Sequence, residues 1–194
     1  MKRTGLFFGT FNPLHIGHLV IANHMVEFSE LEEVWFVVTP RSPFKVKDSL
    51  LEDHHRFQMV YEAVADYPKL GVSDIEFKLP QPNYTIDTLT ALHERHEGER
   101  TFALIMGEDN LRSFHKWKNY EAILEYYELY VYPRLGPGTI PDNLVDHPRI
   151  HRVDAPIMEI SATFIRKQHK AGKNIRPLLP AAVWKYMDEM NFYR

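Results

Sequence analysis

Cysteine is absent from this sequence of 194 residues, which excludes disulfide bonds, thiolate nucleophiles and cysteine-based zinc sites. No window of about 18 apolar residues, the length of a membrane-spanning helix, occurs in it either. The apolar run near the N-terminus covers only residues 6–8, too short for the core of a signal peptide. We therefore expect a cytoplasmic protein with no membrane partner.

The sequence also has little net charge, since 23 Lys and Arg oppose 26 Asp and Glu to give −3. This balance provides no general attraction to nucleic acid, so any cationic site must be local. No internal repeat is visible, and the stretch rich in Pro and Gly at residues 133–148 predicts a loop. We expect one domain over residues 1–194, and the possibility of a homo-oligomer stays open.

Hydrophobic patterning predicts alternating strands and helices. Short apolar runs predict strands at residues 5–8, 34–38, 72–77, 101–106, 129–132 and, more weakly, 149–153. Apolar residues at helical spacing predict helices at residues 15–28, 53–67, 85–96, 119–126, 161–170 and 180–190. This alternation favours an α/β fold with a mainly parallel sheet. Ligands of such sheets bind beyond the carboxyl ends of the strands, where polar, cationic and aromatic residues gather in this sequence.

The segment after the first predicted strand carries the strongest pattern. Gly9 allows close approach of a ligand to the backbone, and Thr10 offers a hydroxyl and an N–H. His15 and His18 share the first turn of a helix whose N-terminus attracts anions, and Gly17 would let phosphates or a neighbouring strand approach closely. This pattern suits a triphosphate. Two alternatives stay open: ordinary polar residues at a helix start, or a shared metal that lacks a third ligand.

A second pattern stands at residues 160–166. Ser161 can cap a helix on which Thr163 and Arg166 lie three positions apart, so a hydroxyl and a guanidinium meet at a helix N-terminus. Taken alone, this pattern also describes a capped helix with a solvated arginine.

Several residues after other strands have two interpretations each. Asp109 can accept hydrogen bonds from a ribose or adenine, or can simply stabilise a helix N-terminus. Trp117 can stack on an aromatic base or belong to the core. Arg134 and Lys45 can hold a second phosphate, or can be solvated.

The two patterns together resemble the nucleotidyltransferase superfamily, with its T/H-x-G-H motif at residues 15–18 and its Ser-x-Thr-x-x-Arg motif at residues 161–166. Within it, the chain is similar over essentially its whole length to bacterial nicotinate-mononucleotide adenylyltransferases. The segments that carry this similarity are residues 84–89, 107–109, 178–180 and 192–193, with Trp117. One departure is Phe44, where the family often has His.

The resemblance implies a Rossmann-like three-layer sandwich and transfer of AMP from ATP to nicotinate mononucleotide, giving nicotinate adenine dinucleotide and pyrophosphate. It implies catalytic roles for His15, His18 and Arg166. It implies ATP contacts from Gly9, Thr10, Phe11, Gly17, Gly107, Asp109, Ile160, Ser161 and Thr163. It implies contacts to the second substrate from Lys45, Tyr84, Thr85, Trp117, Lys118 and Arg134. Mg²⁺ is expected mainly on the ATP phosphates, with no protein metal site.

Rival functions remain at this stage. They are adenylyl transfer to phosphopantetheine or nicotinamide mononucleotide, cytidylyl transfer, nucleotide binding without catalysis, and metal-dependent hydrolysis.

Overall fold

A computed structural model of the protein describes residues 1–40 and 50–194. Six parallel strands form one sheet in the order β3-β2-β1-β4-β5-β6. The strands are β1 (Lys2–Gly9), β2 (Glu33–Val38), β3 (Leu70–Ser73), β4 (Arg100–Gly107), β5 (Glu128–Tyr132) and β6 (Ile150–Arg152). This is the strand order of dinucleotide-binding α/β proteins.

Helices cover both faces of the sheet. They are α1 (Ile16–Phe28), α2 (Asp53–Val64), α3 (Thr85–Arg95), α4 (Glu108–Ser113), α5 (Tyr120–Tyr126), α6 (Asp142–Val145), α7 (Ala162–Lys170) and α8 (Ala181–Glu189). One buried apolar cluster joins the sheet to α1, α2, α7 and α8, and a second joins it to α3, α4 and α5. The three-layer α/β sandwich expected from the sequence is therefore confirmed. No helix within the described ranges is long and apolar enough to cross a bilayer.

The predicted strand at residues 72–77 is only partly correct. The strand ends at Ser73, whose hydroxyl accepts the backbone N–H of Ile75 at 3.3 Å, and a 3-10 helix follows over Ile75–Lys78. Ile75 is buried in one apolar cluster and Phe77 packs against the other. The apolar residues of this turn pack on both faces of the sheet, and this produces their alternation. Period-2 patterning therefore does not require a strand.

Two helices were missed by the sequence patterns. The segment 133–148 contains α6, which is short and contributes the fully buried Leu144 to the core. The six residues of α4 follow β4 without a break, and α4 also buries only one leucine, Leu111. One buried apolar residue per helix provides no periodicity, so sequence pattern cannot reveal elements of this length.

The helix predicted at residues 53–67 ends earlier, at Val64, and its inward face contains a charged residue. Arg56, Met59, Val60, Ala63 and Val64 are buried, whereas Tyr61 is exposed. A fully buried arginine therefore lies on the face that packs against the sheet.

Candidate active site

The catalytic residues predicted from the sequence converge at the centre of the sheet. Strand order reverses between β1 and β4, which pair directly, so a crevice forms beyond their carboxyl ends. Gly9 ends β1 and Gly107 ends β4. Two of the three glycines expected to contact ATP, Gly9 and Gly107, therefore lie at the point where α/β sheets bind nucleotides.

The loop from β1 to α1 is tight and partly aromatic. Phe11 has a φ of 45°, an uncommon left-handed conformation for a residue with a side chain. Its ring packs edge-on against His18, with centroids 5.1 Å apart. A Cβ on Gly9 would lie 2.8 Å from the same ring, so no larger residue fits there without moving Phe11. Thr10, between these two residues, is exposed.

His15 and His18 form a stacked pair at the N-terminus of α1. Their ring centroids are 3.7 Å apart with planes 22° from parallel. The backbone N–H of His15 donates to His18 Nδ1 at 3.1 Å. In neutral His18 the proton must then reside on Nε2, which is left as a hydrogen-bond donor. Gly17 accommodates the pair, because a Cβ there would lie 3.0 Å from His15 Nδ1.

Burial keeps both imidazoles neutral at pH 7. Burial, with a smaller repulsion from Arg134, lowers the pKa of His15 from 6.5 to about 4. Burial, with repulsion from His15 and Arg134, lowers the pKa of His18 well below 6.5. The two histidines therefore offer N–H donors rather than positive charge. Charge at this crevice must come from arginine or from a bound cation.

Arg166 connects the two sequence motifs. Its Nη1 donates to the carbonyl oxygen of Asn12, in the β1–α1 loop, at 2.6 Å. Its Nη2 donates to the hydroxyl of Thr163 at 3.3 Å. Ser161 caps α7, as expected, by accepting the N–H of Phe164 at 3.2 Å, and Ile160 before it is partly buried. The N-terminus of α7 thus faces the same loop as the histidine pair.

Asn12 also receives contacts that the sequence patterns did not reveal. Its Oδ1 accepts the backbone N–H of Leu51 at 3.2 Å and the phenol of Tyr193. Burial raises the pKa of that phenol far above its usual range, so it remains a donor. Distant segments of the chain therefore support the loop.

Arg56 is the other residue that sequence reasoning missed. It is fully buried and donates to the carbonyl oxygen of Thr10 at 2.6 Å. One sequence feature could have identified it. Arg56 lies three residues before Met59 and four before Val60, so a charged residue shares an otherwise apolar helix face.

Asp109 and Arg134 meet at the end of β4. Arg134 Nε lies 3.6 Å from Asp109 Oδ2, and both side chains are about half exposed. A Cβ on Gly107 would lie 2.4 Å from Asp109 Oδ1 and 3.2 Å from Arg134 Cδ. The absence of a side chain at position 107 is thus what allows this pair to sit beside the crevice.

A pocket of about 270 Å³ lies between the start of α3 and the segment before α5. Its lining residues are Asn83, Tyr84, Thr85, Lys116, Trp117 and Lys118. Lys118 Nζ lies 2.9 Å from Asp87 Oδ2 and 4.3 Å from the centre of the Tyr84 ring. Aromatic walls with an ammonium group at the edge suit a flat ring that carries a negative charge.

Not every predicted residue can be placed. Lys45, expected to contact the second substrate, and Phe44 lie outside the described residues. Among the residues that are described, Glu52, His54 and His55 form the one group of three side chains whose ligand atoms could meet at a metal. The histidine pair of α1 is not part of that group.

Comparison with known proteins agrees with this geometry and places the chain among the nucleotidyltransferases. Residues 6–168 match the model of the family described as cytidylyltransferase-like. A protein of Christiangramia forsetii, named "Probable nicotinate-nucleotide adenylyltransferase", is 61% identical over 193 residues, covering 100% of this chain and 99% of the relative. A Flavobacterium psychrophilum protein of the same name is 60% identical, covering 99% of each chain. The chain belongs to the nicotinate-nucleotide adenylyltransferase family.

Solved structures agree on the fold. The structure of Plasmodium falciparum nicotinic acid mononucleotide adenylyltransferase complexed with NaAD superposes with a TM-score of 0.78, covering 100% of this chain and 98% of the other. Its sequence identity is 20%, so this likeness supports the architecture alone.

Proposed function

We propose that this chain transfers AMP from ATP to nicotinate mononucleotide, releasing pyrophosphate, with the polyphosphate of ATP held between the β1–α1 loop and the N-terminus of α7. The 2.6 Å contact from Arg166 to the Asn12 carbonyl carries this proposal. It brings the two motifs, far apart in the sequence, to one crevice at the strand-order reversal. Two helix N-termini and a guanidinium at one point favour a polyanion. This arrangement argues against a regulator that merely retains the fold.

The reaction needs positioning more than proton transfer. A phosphate oxygen of the mononucleotide attacks the α-phosphorus of ATP, and the bond to the bridging oxygen breaks as pyrophosphate leaves. Because a phosphate monoester dianion is already nucleophilic, no general base is required. His18 Nε2–H and the guanidinium of Arg166 would donate to the negative charge that develops on the phosphate oxygens. His15 fixes the tautomer of His18 through its backbone N–H.

The aromatic pocket is proposed to receive the nicotinate ring. Trp117 and Tyr84 line it, Thr85 opens α3 beside it, and Lys118 supplies an ammonium group. A carboxylate has only acceptors, so a site of N–H, O–H and ammonium donors favours the acid over the amide. Arg134, which lies beside Gly107 and Asp109, is proposed to hold a phosphate of the mononucleotide, and Asp109 is proposed to face the adenosine.

Magnesium fits this site through the nucleotide rather than through the protein. The two acidic residues directly after β4 are already paired, Asp109 with Arg134 and Glu108 with Arg112 and Arg152. Mg²⁺ prefers phosphate oxygens, water and one or two carboxylates. When bound, it would offset the charge of the ATP phosphates, while residues of this chain orient them.

The same proposal extends to the whole chain. Residues 1–194 are proposed to act as one nucleotidyltransferase domain, since both motifs serve one sheet. A cytoplasmic location fits a cysteine-free sequence that uses ATP. A homo-oligomer remains an expectation from the sequence alone.

The direct test is pyrophosphate release with Mg²⁺, using ATP or CTP with nicotinate mononucleotide, nicotinamide mononucleotide or phosphopantetheine as acceptor. We expect ATP and the acid mononucleotide to give the highest kcat/KM. Preference for the amide would contradict the proposed acceptor, and preference for CTP would contradict the proposed donor. Binding of ATP without product from any acceptor would favour a regulator.

A further inference from the structure

Arg56 is a fully buried guanidinium that the proposed reaction does not use directly. It lies on the inward face of α2 with none of its surface exposed. Burial of this charge is costly and lowers its pKa, even with Asp53 beside it. An apolar side chain of similar volume would fill the same space without that cost. The hydrogen bonds of the guanidinium are therefore what Arg56 provides and an apolar residue of similar volume would not.

Those contacts fasten the ends of two central strands. Nη1 donates to the carbonyl oxygens of Thr10, at 2.6 Å, and Thr39, at 2.8 Å. Thr10 follows β1 directly and Thr39 follows β2 directly. Nε donates to the carbonyl of Leu51, at 3.0 Å, and Nη2 to Asp53. One side chain thus links α2 to the carboxyl ends of two neighbouring strands.

The bond to Thr10 fixes the orientation of the next N–H. The Thr10–Phe11 peptide is trans, so the carbonyl of Thr10 and the N–H of Phe11 point in opposite directions. A carbonyl directed towards Arg56 keeps that N–H directed away from α2. The left-handed φ of Phe11, 45°, costs free energy and persists only where surrounding contacts impose it. Arg56 makes one of these contacts.

We propose that Arg56 is a positioning residue for the polyphosphate of ATP. It holds the Thr10–Phe11 peptide with its N–H towards the nucleotide, and it places a positive charge behind the loop. Arg166 also donates to this loop, through the carbonyl of Asn12. This inference rests on the proposed contact between residues 9–11 and ATP.

The test compares Arg56→Met and Arg56→Lys with the wild type in the full chain. ATP affinity is measured by calorimetry without acceptor, and kcat and KM are measured by pyrophosphate release. Loss of a charged hydrogen bond that orders the loop should weaken ATP binding by about tenfold or more in Arg56→Met. Lysine keeps the charge but has three donors in another geometry, so partial rescue is expected. KM for nicotinate mononucleotide should change less than KM for ATP.

Two control variants separate positioning from stability. Met59 is fully buried on the same helix face, so Met59→Ala should lower the thermal midpoint and leave ATP affinity within about twofold. Asp53→Asn removes the carboxylate partner but leaves the three carbonyl contacts, so a small effect is expected. Unchanged ATP affinity in folded Arg56→Met, or an equal loss in Met59→Ala, would overturn the inference. If Arg56→Met does not fold, an ATP affinity of Arg56→Lys equal to that of the wild type would overturn the inference.

Failure of the proposed function would look different. In that case the wild type would bind ATP and release no pyrophosphate with any acceptor, while the difference between Arg56→Met and Met59→Ala in ATP affinity would persist. If ATP does not bind the wild type at all, both proposals are wrong.

Discussion

Replacement of His18 by alanine is the sharpest test of the catalytic assignment. The structure shows His18 as a neutral donor, with Nδ1 occupied by the N–H of His15 at 3.1 Å and a pKa lowered well below 6.5. His18→Ala therefore removes one N–H donor and no charge. Removal of one donor to a developing oxyanion costs about 10²–10³ in kcat, or about 2.7–4 kcal/mol. ATP affinity should change much less, since the donor is proposed to act mainly in the transition state.

The measurement is pyrophosphate release under saturating ATP and nicotinate mononucleotide, with folding checked by thermal denaturation. His24→Ala is a matched control, because His24 lies on the same helix but packs against Phe28, away from the crevice. His18→Gln places an amide N–H donor near the position of Nε2 and should recover part of the rate. A folded His18→Ala enzyme with kcat near that of His24→Ala would refute the reasoning.

Three further predictions concern other parts of the site. Lys118→Met should lower the preference for the acid over the amide mononucleotide by about five- to tenfold in kcat/KM, because it removes the ammonium from the aromatic pocket. Lys116 lines the same pocket but does not contact Asp87, so an equal effect of Lys116→Met would contradict this. Gly107→Ala should raise KM for ATP by about tenfold or more with little loss of thermal stability. Its Cβ would lie 2.4 Å from the present position of Asp109 Oδ1 and would displace that side chain. An unchanged KM for ATP would contradict the proposed contact between Asp109 and the adenosine. His15 has a folded pKa of about 4 against 6.5, so the unfolded chain binds the proton more readily, and the free energy of unfolding should fall as pH drops from about 6.5 towards 4. In urea denaturation at several pH values, His15→Asn should lose about 3 kcal/mol of this change in the free energy of unfolding with pH. The same change in the variant and the wild type would contradict the prediction.

Much of the fold could be predicted from the sequence because short apolar runs alternate with segments of helical periodicity. The cores of β1 and β4 are continuous apolar segments, buried on both faces, and period and length identify such strands. The 3-10 helix at Ile75–Lys78 could not be predicted, because its apolar residues imitate strand alternation while packing into two different clusters.

The sequence predicted the site in part, through motifs with a physical rationale. His15, His18 and Arg166 were identified because their types and spacing suit an anion. Their protonation and the contact to Asn12 depend on burial and on distant partners, which local spacing does not contain. Arg56 was missed for the same reason, since its role lies in contacts with carbonyls of residues far along the chain.

The contacts to Asn12 also bear on the order in which the protein acquires function. Asn12 is joined to Arg166 and Tyr193, which lie 154 and 181 positions further along the chain. Contacts of such separation close the largest loops, and those are the slowest to form. The sheet and its first helices can therefore assemble before the nucleotide loop is set. Competence for catalysis is acquired at the end of folding, so a pulse of refolding protein should regain helical signal before it regains activity.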